Sequence, residues 1–204
     1  MPRVLEKKER SLGTQLSIRG ERSVSPKRAL VRKPYRPGQH GKRYQRISEF
    51  GNQLKEKQKI KFSYGISDKR LKKVFKDAAK RTDSAIDFIT QTLESRLDNV
   101  VMRLGFVMSR SIGKQAVSHG YFLVNGKRVK TPSYHVREGD IITIKQSSQN
   151  SAVFSDLRDR LKNYEPPSWL YLDKDKIEGK VESAPKEVDF PFDINLVVDY
   201  YSKK

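Results

Sequence analysis

At 204 residues with 35% hydrophobic side chains, the chain has room for one or two domains and a modest core. Its 43 Lys/Arg against 24 Asp/Glu give a formal charge of +19, which costs self-repulsion unless a polyanion neutralises it, so nucleic acid is the leading partner and an anionic membrane surface the rival. No apolar run approaches about 20 residues and no signal-peptide pattern opens the chain, which disfavours the membrane and makes a cytoplasmic location the expectation. Cysteine is absent and the histidines at 40, 119 and 135 share no ligand spacing, so neither a metal nor a cofactor is expected.

Residues 1–81 hold 25 Lys/Arg and 7 Asp/Glu, whereas residues 82–204 hold 18 and 17, so nearly all the excess lies in the first two fifths. The bases are mixed and broken by apolar residues, which argues for folded basic surfaces. A basic N-terminal arm and loop occupies 1–47. Within it, PYRPGQHGKRYQR at 34–46 combines two prolines and two glycines with Arg36, Lys42, Arg43 and Arg46 and no acid. It is too basic to form a core and too rich in Pro and Gly to continue a helix, and reads either as a solvated linker or as a loop ordered against polyphosphate.

A helical segment runs from about Ser48 to Phe62, with Leu54, Gln58 and Phe62 four apart and Lys55, Lys57, Lys59 and Lys61 around them. Ser67-Asp68 starts a second helix, in which Leu71, Val74, Phe75, Ala78 and Ala79 recur at helical spacing opposite Lys69, Arg70, Lys72, Lys73, Lys76 and Lys80. An acid-poor face cannot neutralise itself through i,i+4 pairs, so these helices read as a wall facing RNA or DNA. Ser84 and Asp87 have capping-box spacing, and Ile86, Ile89, Leu93, Leu97, Val100, Val101 and Leu104 form an apolar stripe ended by Gly105, in one long helix or two nearly continuous ones.

Another helix is expected from Ser109 to Gly120. Asn125-Gly126 between Phe122-Leu123-Val124 and Lys127-Arg128-Val129 predicts a hairpin with a type I′ turn, because both central residues tolerate φ > 0. Glu138-Gly139-Asp140 is a further turn and Ile141 to Ile144 a third strand. Helix, helix, hairpin and strand make a small α+β module over 94–149, with Arg96, Arg103, Arg110, Lys114, Lys127, Arg128 and Lys130 as its surface cations. Such cations suit phosphates, and a helix beside a hairpin can straddle a duplex backbone.

SRLDNVVMRLGF at 95–106 and SRSIGKQAVSHGYFLVNGKRVKTPSYHVREGD at 109–140 closely resemble the RNA-binding module named after small-subunit ribosomal protein S-four. RPGQHGKR at 36–43, LKEKQKIKFSYGIS at 54–67, PSWLYLD at 167–173 and LVVDYYSK at 196–203 extend the resemblance to that ribosomal family itself, in its bacterial type. The resemblance implies a structural constituent of the small subunit that binds its 16S ribosomal RNA early in assembly. It implies a helix junction in the 5′ domain as the binding site, nucleation of the subunit body and an effect on translational accuracy. The partners it implies are that RNA, small-subunit proteins five, three and twelve, and mRNA where it enters the subunit, with no membrane and no small-molecule substrate. The fold it implies is α+β: a mainly helical domain (48–93, completed by 150–204) interrupted by the 94–149 module, plus an extended basic arm.

Charge, position and resemblance together nominate the RNA-binding residues. They are Arg3 in the arm; Tyr35, Arg36, Gln39, His40, Lys42, Arg43, Tyr44 and Arg46 in the loop; Lys55, Lys57 and Lys61 in the first helix; and Lys69, Arg70 and Lys73 in the second. In the module they are Arg96, Arg103, Arg110, Lys114, Gln115, His119, Asn125, Lys127 and Arg128. Specificity is expected from junction shape, because side chains cannot read the deep major groove of A-form RNA.

Many relatives are implied to hold zinc with four N-terminal cysteines, and the matching positions here are Glu6, Glu9, Ser23 and Arg28, which leaves the arm to be ordered by packing or RNA. Gly113 stands where relatives carry Ala, a cost of roughly 0.5–1 kcal/mol within a helix. No phosphate-cradling glycine motif, nucleophile elbow or metal cluster is present, so no enzyme is expected. A transient assembly factor and a DNA-compacting protein are the alternatives.

Overall fold

The computed structural model describes residues 6–16, 25–43, 46–81, 84–185, 188 and 190–202. The chain divides into two compact units, Met1–Ile89 with Asp189–Lys204, and Thr90–Val188.

The first unit is helical. Its main helices are α3 (Glu49–Ser63) and α4 (Asp68–Ala78), preceded by α1 (Glu6–Leu12) and α2 (Ala29–Arg32). Serine hydroxyls start both long helices: Ser48 Oγ accepts from Gly51 N at 3.2 Å and Ser67 Oγ from Arg70 N at 3.3 Å, each satisfying a donor that has no partner within the helix. On α4 the buried residues are Leu71, Val74, Phe75 and Ala78; Ala79 is exposed because it caps the helix rather than continuing it. On α3 the buried set is Gln53, Ile60 and Ser63, while Leu54, Gln58 and Phe62 are only half-buried, so the inward face is rotated from the expected row.

The C-terminal helix, α9 (Ile194–Ser202), packs on α3 and α4. Aromatic pairs mark the seam: Phe75 and Tyr201 have centroids 5.0 Å apart, Phe50 and Tyr200 5.6 Å, and Tyr64 and Phe192 6.3 Å. The arm, expected to be extended, instead forms α1 and α2 in its described part, with Leu12 and Leu16 buried against Phe62. Leu12 at the end of α1 and Leu16 four residues beyond it dock the segment, a signal too brief to stand out among charges.

α5 (Ala85–Glu94) leads from the first unit into the second, and Ser84 Oγ accepts from Asp87 N at 3.3 Å as the capping spacing requires; Thr82 and Asp83 lie outside the described residues. Ile86 is exposed, while Ile89, Leu93, Leu97, Val100, Val101 and Leu104 are buried. The stripe is two helices, α5 and α6 (Leu97–Arg103), because Arg96 is extended at φ −65°, ψ 135°. Bonds to a distant part of the chain hold that break: Leu97 N donates to Tyr134 O (2.8 Å) and Val136 N to Ser95 O (2.9 Å).

α7 (Arg110–His119) starts at the Ser109 cap and ends at Gly120, whose φ is 74°. Gly113 has a packing reason: a Cβ there would lie 2.6 Å from the Asp98 carbonyl oxygen on α6, so the missing methyl lets the two helices approach. The hairpin of β1 (Phe122–Val124) and β2 (Lys127–Arg128) turns through Asn125 (φ 50°) and Gly126 (φ 75°), the left-handed pair a type I′ turn needs. β3 (Ile141–Ile144) pairs with β1.

Of residues 150–204, expected to complete the helical part, only Asp189–Lys204 group with it. α8 (Leu157–Lys162), β4 (Leu170–Asp173) and β5 (Glu178–Val181) belong to the module, giving one antiparallel sheet of order β2-β1-β3-β5-β4. Leu170 and Leu172 on β4 and Gly179 and Val181 on β5 face the core, the period-2 burial of a sheet with one wet face. That core also holds Phe106 and Phe122, stacked at 6.1 Å, with Val100, Leu104, Ile142 and Trp169.

Candidate RNA-binding surfaces

In the first unit the Pro/Gly loop is a closed turn. Gly41 N donates to Gly38 O at 3.2 Å and Arg43 N to His40 O at 3.1 Å. Gly38 has φ +111°, and a Cβ on Gly41 would sit 1.9 Å from the Arg36 carbonyl oxygen, so glycine is required at both positions. The loop is pinned to α1: Arg10 Nε donates to Lys33 O (2.9 Å) and Tyr35 O (3.2 Å), and its guanidinium lies over the Tyr35 ring at 5.1 Å. Lys42 Nζ also approaches that ring, at 5.3 Å. Tyr35, expected as a base-stacking platform, is therefore half-buried and committed to Arg10 and Lys42. Arg36, Gln39, His40, Lys42, Arg43 and Arg46 are exposed; Arg3 and Tyr44 lie outside the described residues.

Arg36 lies close enough to α3 to act on Lys55. Partial burial first, then the charges of Arg36 and Lys59, hold the Lys55 ammonium below its ordinary pKa, with Glu56 only partly opposing. Like charges crowded in this way favour an incoming anion. On α4, Lys69, Arg70, Lys72, Lys73 and Lys76 are all exposed along the face opposite the core, and Lys80, just past its end, is exposed too.

Lys57 and Lys61 differ from the expected surface cations. Both reach the Asp68 carboxylate, at 3.2 and 3.4 Å, and Lys57 Nζ also lies over the Tyr200 ring at 4.9 Å. Burial works against ionisation of Asp68, but the hydrogen bond and charge of Lys57 and the charge of Lys61 outweigh it and hold the carboxyl below its usual range. The two lysines thus fasten α3 to the start of α4. A hollow of about 200 Å³ lined by Glu6, Lys27, Ala29, Arg32 and Lys33 adds three cations that sequence reasoning did not single out.

The positions matching a zinc-binding set are used differently. Glu9 is buried and accepts from Leu16 N at 2.9 Å, Glu6 Oε2 accepts from Ala29 N at 3.3 Å, and an Arg28 guanidinium nitrogen donates to Gln15 Oε1. A guanidinium has no lone pair for a metal, and both carboxylates hold backbone donors, so these residues do not fit zinc. Ser23 lies outside the described residues. Among the described residues no three metal-ligating side chains cluster, and no helix is long and apolar enough to cross a membrane.

In the second unit the expected surface cations divide. Arg96 is buried and bidentate to buried Asp98 (Nε to Oδ1 3.0 Å, a terminal nitrogen to Oδ2 2.6 Å), so it is an interior ion pair and not a surface side chain. Asn125 spends its amide inside the module, donating to Asp140 Oδ1 (2.8 Å) and accepting from Ile141 N (2.9 Å). Arg128 donates to Gly120 O (3.1 Å) and His119 O (2.8 Å), covering carbonyls at the end of α7 where a cation is favoured. Arg103 and Arg110 are partly exposed and converge on buried Glu94. Gln115, His119 and Lys127 are exposed and Lys114 half-buried; His119 lies against Tyr121 with ring centroids 5.4 Å apart.

Two family models match the chain. Residues 5–94 match the ribosomal protein S4/S9 N-terminal domain and residues 95–142 the S4 domain. The chain is 42% identical over 193 residues to the small ribosomal subunit protein uS4 of Halothermothrix orenii, covering 94% of this chain and 93% of that relative. The family is one of ribosomal proteins and not of enzymes. On these matches this chain belongs to the bacterial-type uS4 family.

Proposed function

We propose that this protein is a structural constituent of the small ribosomal subunit that binds the 16S ribosomal RNA at a helix junction in its 5′ domain. The observation that carries this reading is the acid-poor surface of the first unit: a preformed loop bearing Arg36, Lys42 and Arg43, and the exposed α4 row of Lys69, Arg70 and Lys73. Arg46 and Lys55 extend it, and Gln39 and His40 add neutral hydrogen-bonding groups at the loop tip. In the module, Arg103, Arg110, Lys114, Gln115, His119 and Lys127 are the groups placed to meet phosphate or 2′-hydroxyl.

Early binding at that junction would nucleate the subunit body. Small-subunit proteins five, three and twelve and the incoming mRNA are the neighbours of this reading, a contribution to translational accuracy its consequence, and the cytoplasmic ribosome its location. The test is filter binding of the protein to a transcript of the bacterial 16S 5′ domain across a salt series. Log affinity should fall with log salt by about 0.7–0.9 per phosphate contact, and the triple substitution Arg36→Ala, Arg43→Ala, Arg46→Ala should weaken binding and flatten the slope. An unchanged slope would sink the loop assignment. Equal affinity for an unrelated RNA of the same length would sink the junction.

A further inference from the structure

We propose that Glu94 is a positioning residue for RNA binding: a buried acid that aims two arginines of the module outward as a fixed cationic pair. The inference rests on the RNA-binding reading above and deepens it.

Glu94 closes α5 and its side chain is 0% exposed. Arg103 from the end of α6 grips it with two donors, Nε to Oε2 at 2.9 Å and a terminal nitrogen to Oε1 at 3.2 Å. Arg110 from the start of α7 lies 3.6 Å from Oε1. Asn99 joins the two: its amide donates to Glu94 Oε2 (2.8 Å) and to the Glu94 carbonyl (2.9 Å), while its oxygen accepts from Arg110 Nε (2.7 Å). One bidentate arginine would neutralise a buried carboxylate. The second leaves the cluster with one net positive charge.

The placement of the arginines suits a ligand. Their side chains are 24% and 17% exposed, so each buries its stem against the module and keeps part of its head at the surface. A guanidinium whose fork is already fixed loses little freedom when it takes a phosphate, whereas a free surface arginine must be ordered on binding.

Charge counting and positioning predict opposite signs for Glu94→Gln. Removing an acid from a cationic protein should tighten RNA binding if only net charge matters. If Glu94 aims the arginines, binding should weaken roughly tenfold, because the new amide NH2 opposes the donors of Arg103 and Asn99. The experiment is filter binding of the full-length protein, wild type and E94Q, to the 16S 5′-domain transcript across a salt series, with folding followed by circular dichroism. Weaker binding with a slope shallower by about 0.7–0.9 or more, in a folded protein, is the expected result. Equal or tighter binding, or weaker binding at an unchanged slope, overturns the proposal.

If E94Q fails to fold, Arg110→Lys decides, since it keeps the charge and loses the Nε bond to Asn99: weaker binding supports the positioning role and equal binding overturns it. Failure of the wild-type protein to bind the transcript at all would instead overturn the RNA reading itself.

Discussion

Gly41→Ala changes no charge, yet it should be among the more damaging substitutions for RNA binding. The new Cβ would fall 1.9 Å from the Arg36 carbonyl oxygen and 2.9 Å from its carbon, both inside the 3.0 Å that real Cβ atoms keep, and the obstacle is backbone that no rotamer change can clear. The turn must open, losing the 3.2 Å bond from Gly41 N to Gly38 O and freeing at least Gln39 and His40. Reordering two residues on the RNA costs about 1–2 kcal/mol each, so affinity should drop by at least about 2 kcal/mol, or about 30-fold. Isothermal titration calorimetry against the 5′-domain transcript measures this. The opened loop still carries all its cations to the RNA, so the salt slope should stay close to wild type while affinity falls at every salt concentration. The thermal midpoint should hold, because none of the exposed loop residues belongs to the core. Wild-type affinity for Gly41→Ala would refute the claim that a preformed loop grips the RNA.

Gly179→Ala should destabilise the second unit by about 1–3 kcal/mol in thermal denaturation, since a Cβ on β5 would meet fully buried Leu104 at 2.3 Å. Lys127→Ala should weaken RNA binding with an unchanged thermal midpoint, whereas Arg128→Ala should also lower the midpoint, because only Arg128 covers the carbonyls of α7. Stability of the first unit should depend on pH at both ends. Folded Asp68 releases its proton more readily than unfolded Asp68, so the contribution of its lysine pair is present above about pH 4 and lost as pH falls through the lowered folded value. Tyr201 has its pKa raised by burial first, then by the charges of Asp68 and Tyr200, so its contribution is present below about pH 10 and lost as pH rises. Thermal midpoints measured from pH 2 to 11 should flatten on the acid side in Asp68→Asn and on the alkaline side in Tyr201→Phe.

Local chemistry was legible in the sequence. Serines at 48, 67, 84 and 109 mark four helix starts because a hydroxyl beside free amides acts within four residues, and Asn125-Gly126 fixes its turn for the same reason. What depends on distant partners was not legible. β4 and β5 were hidden because Tyr171, Asp173 and the charged run from Lys174 to Lys176 look like solvated chain until β3 supplies an edge to pair with. Gly113 looks like a weak point of a helix until α6 is placed beside it.

Charge pairing was the larger blind spot at the candidate site. Lys57 and Lys61 are identical in sequence context to free surface lysines, and only the turn between α3 and α4 brings Asp68 to them. Arg96 had a local clue in Asp98 two residues on, but nothing local shows that Arg103 and Arg110, from two different helices, share the buried Glu94. The exposed rows, by contrast, followed from helical spacing alone: Lys69, Arg70 and Lys73 lie opposite Leu71, Val74 and Phe75 as the 3.6-residue period requires.

Sedimentation of lysate from cells expressing the protein, with a high-salt wash and quantification by mass spectrometry, tests the central claim most directly. Retention at one copy per small subunit after the wash is the result predicted for an integral constituent held by folded basic surfaces. Release by salt, or association with immature particles alone, would contradict it.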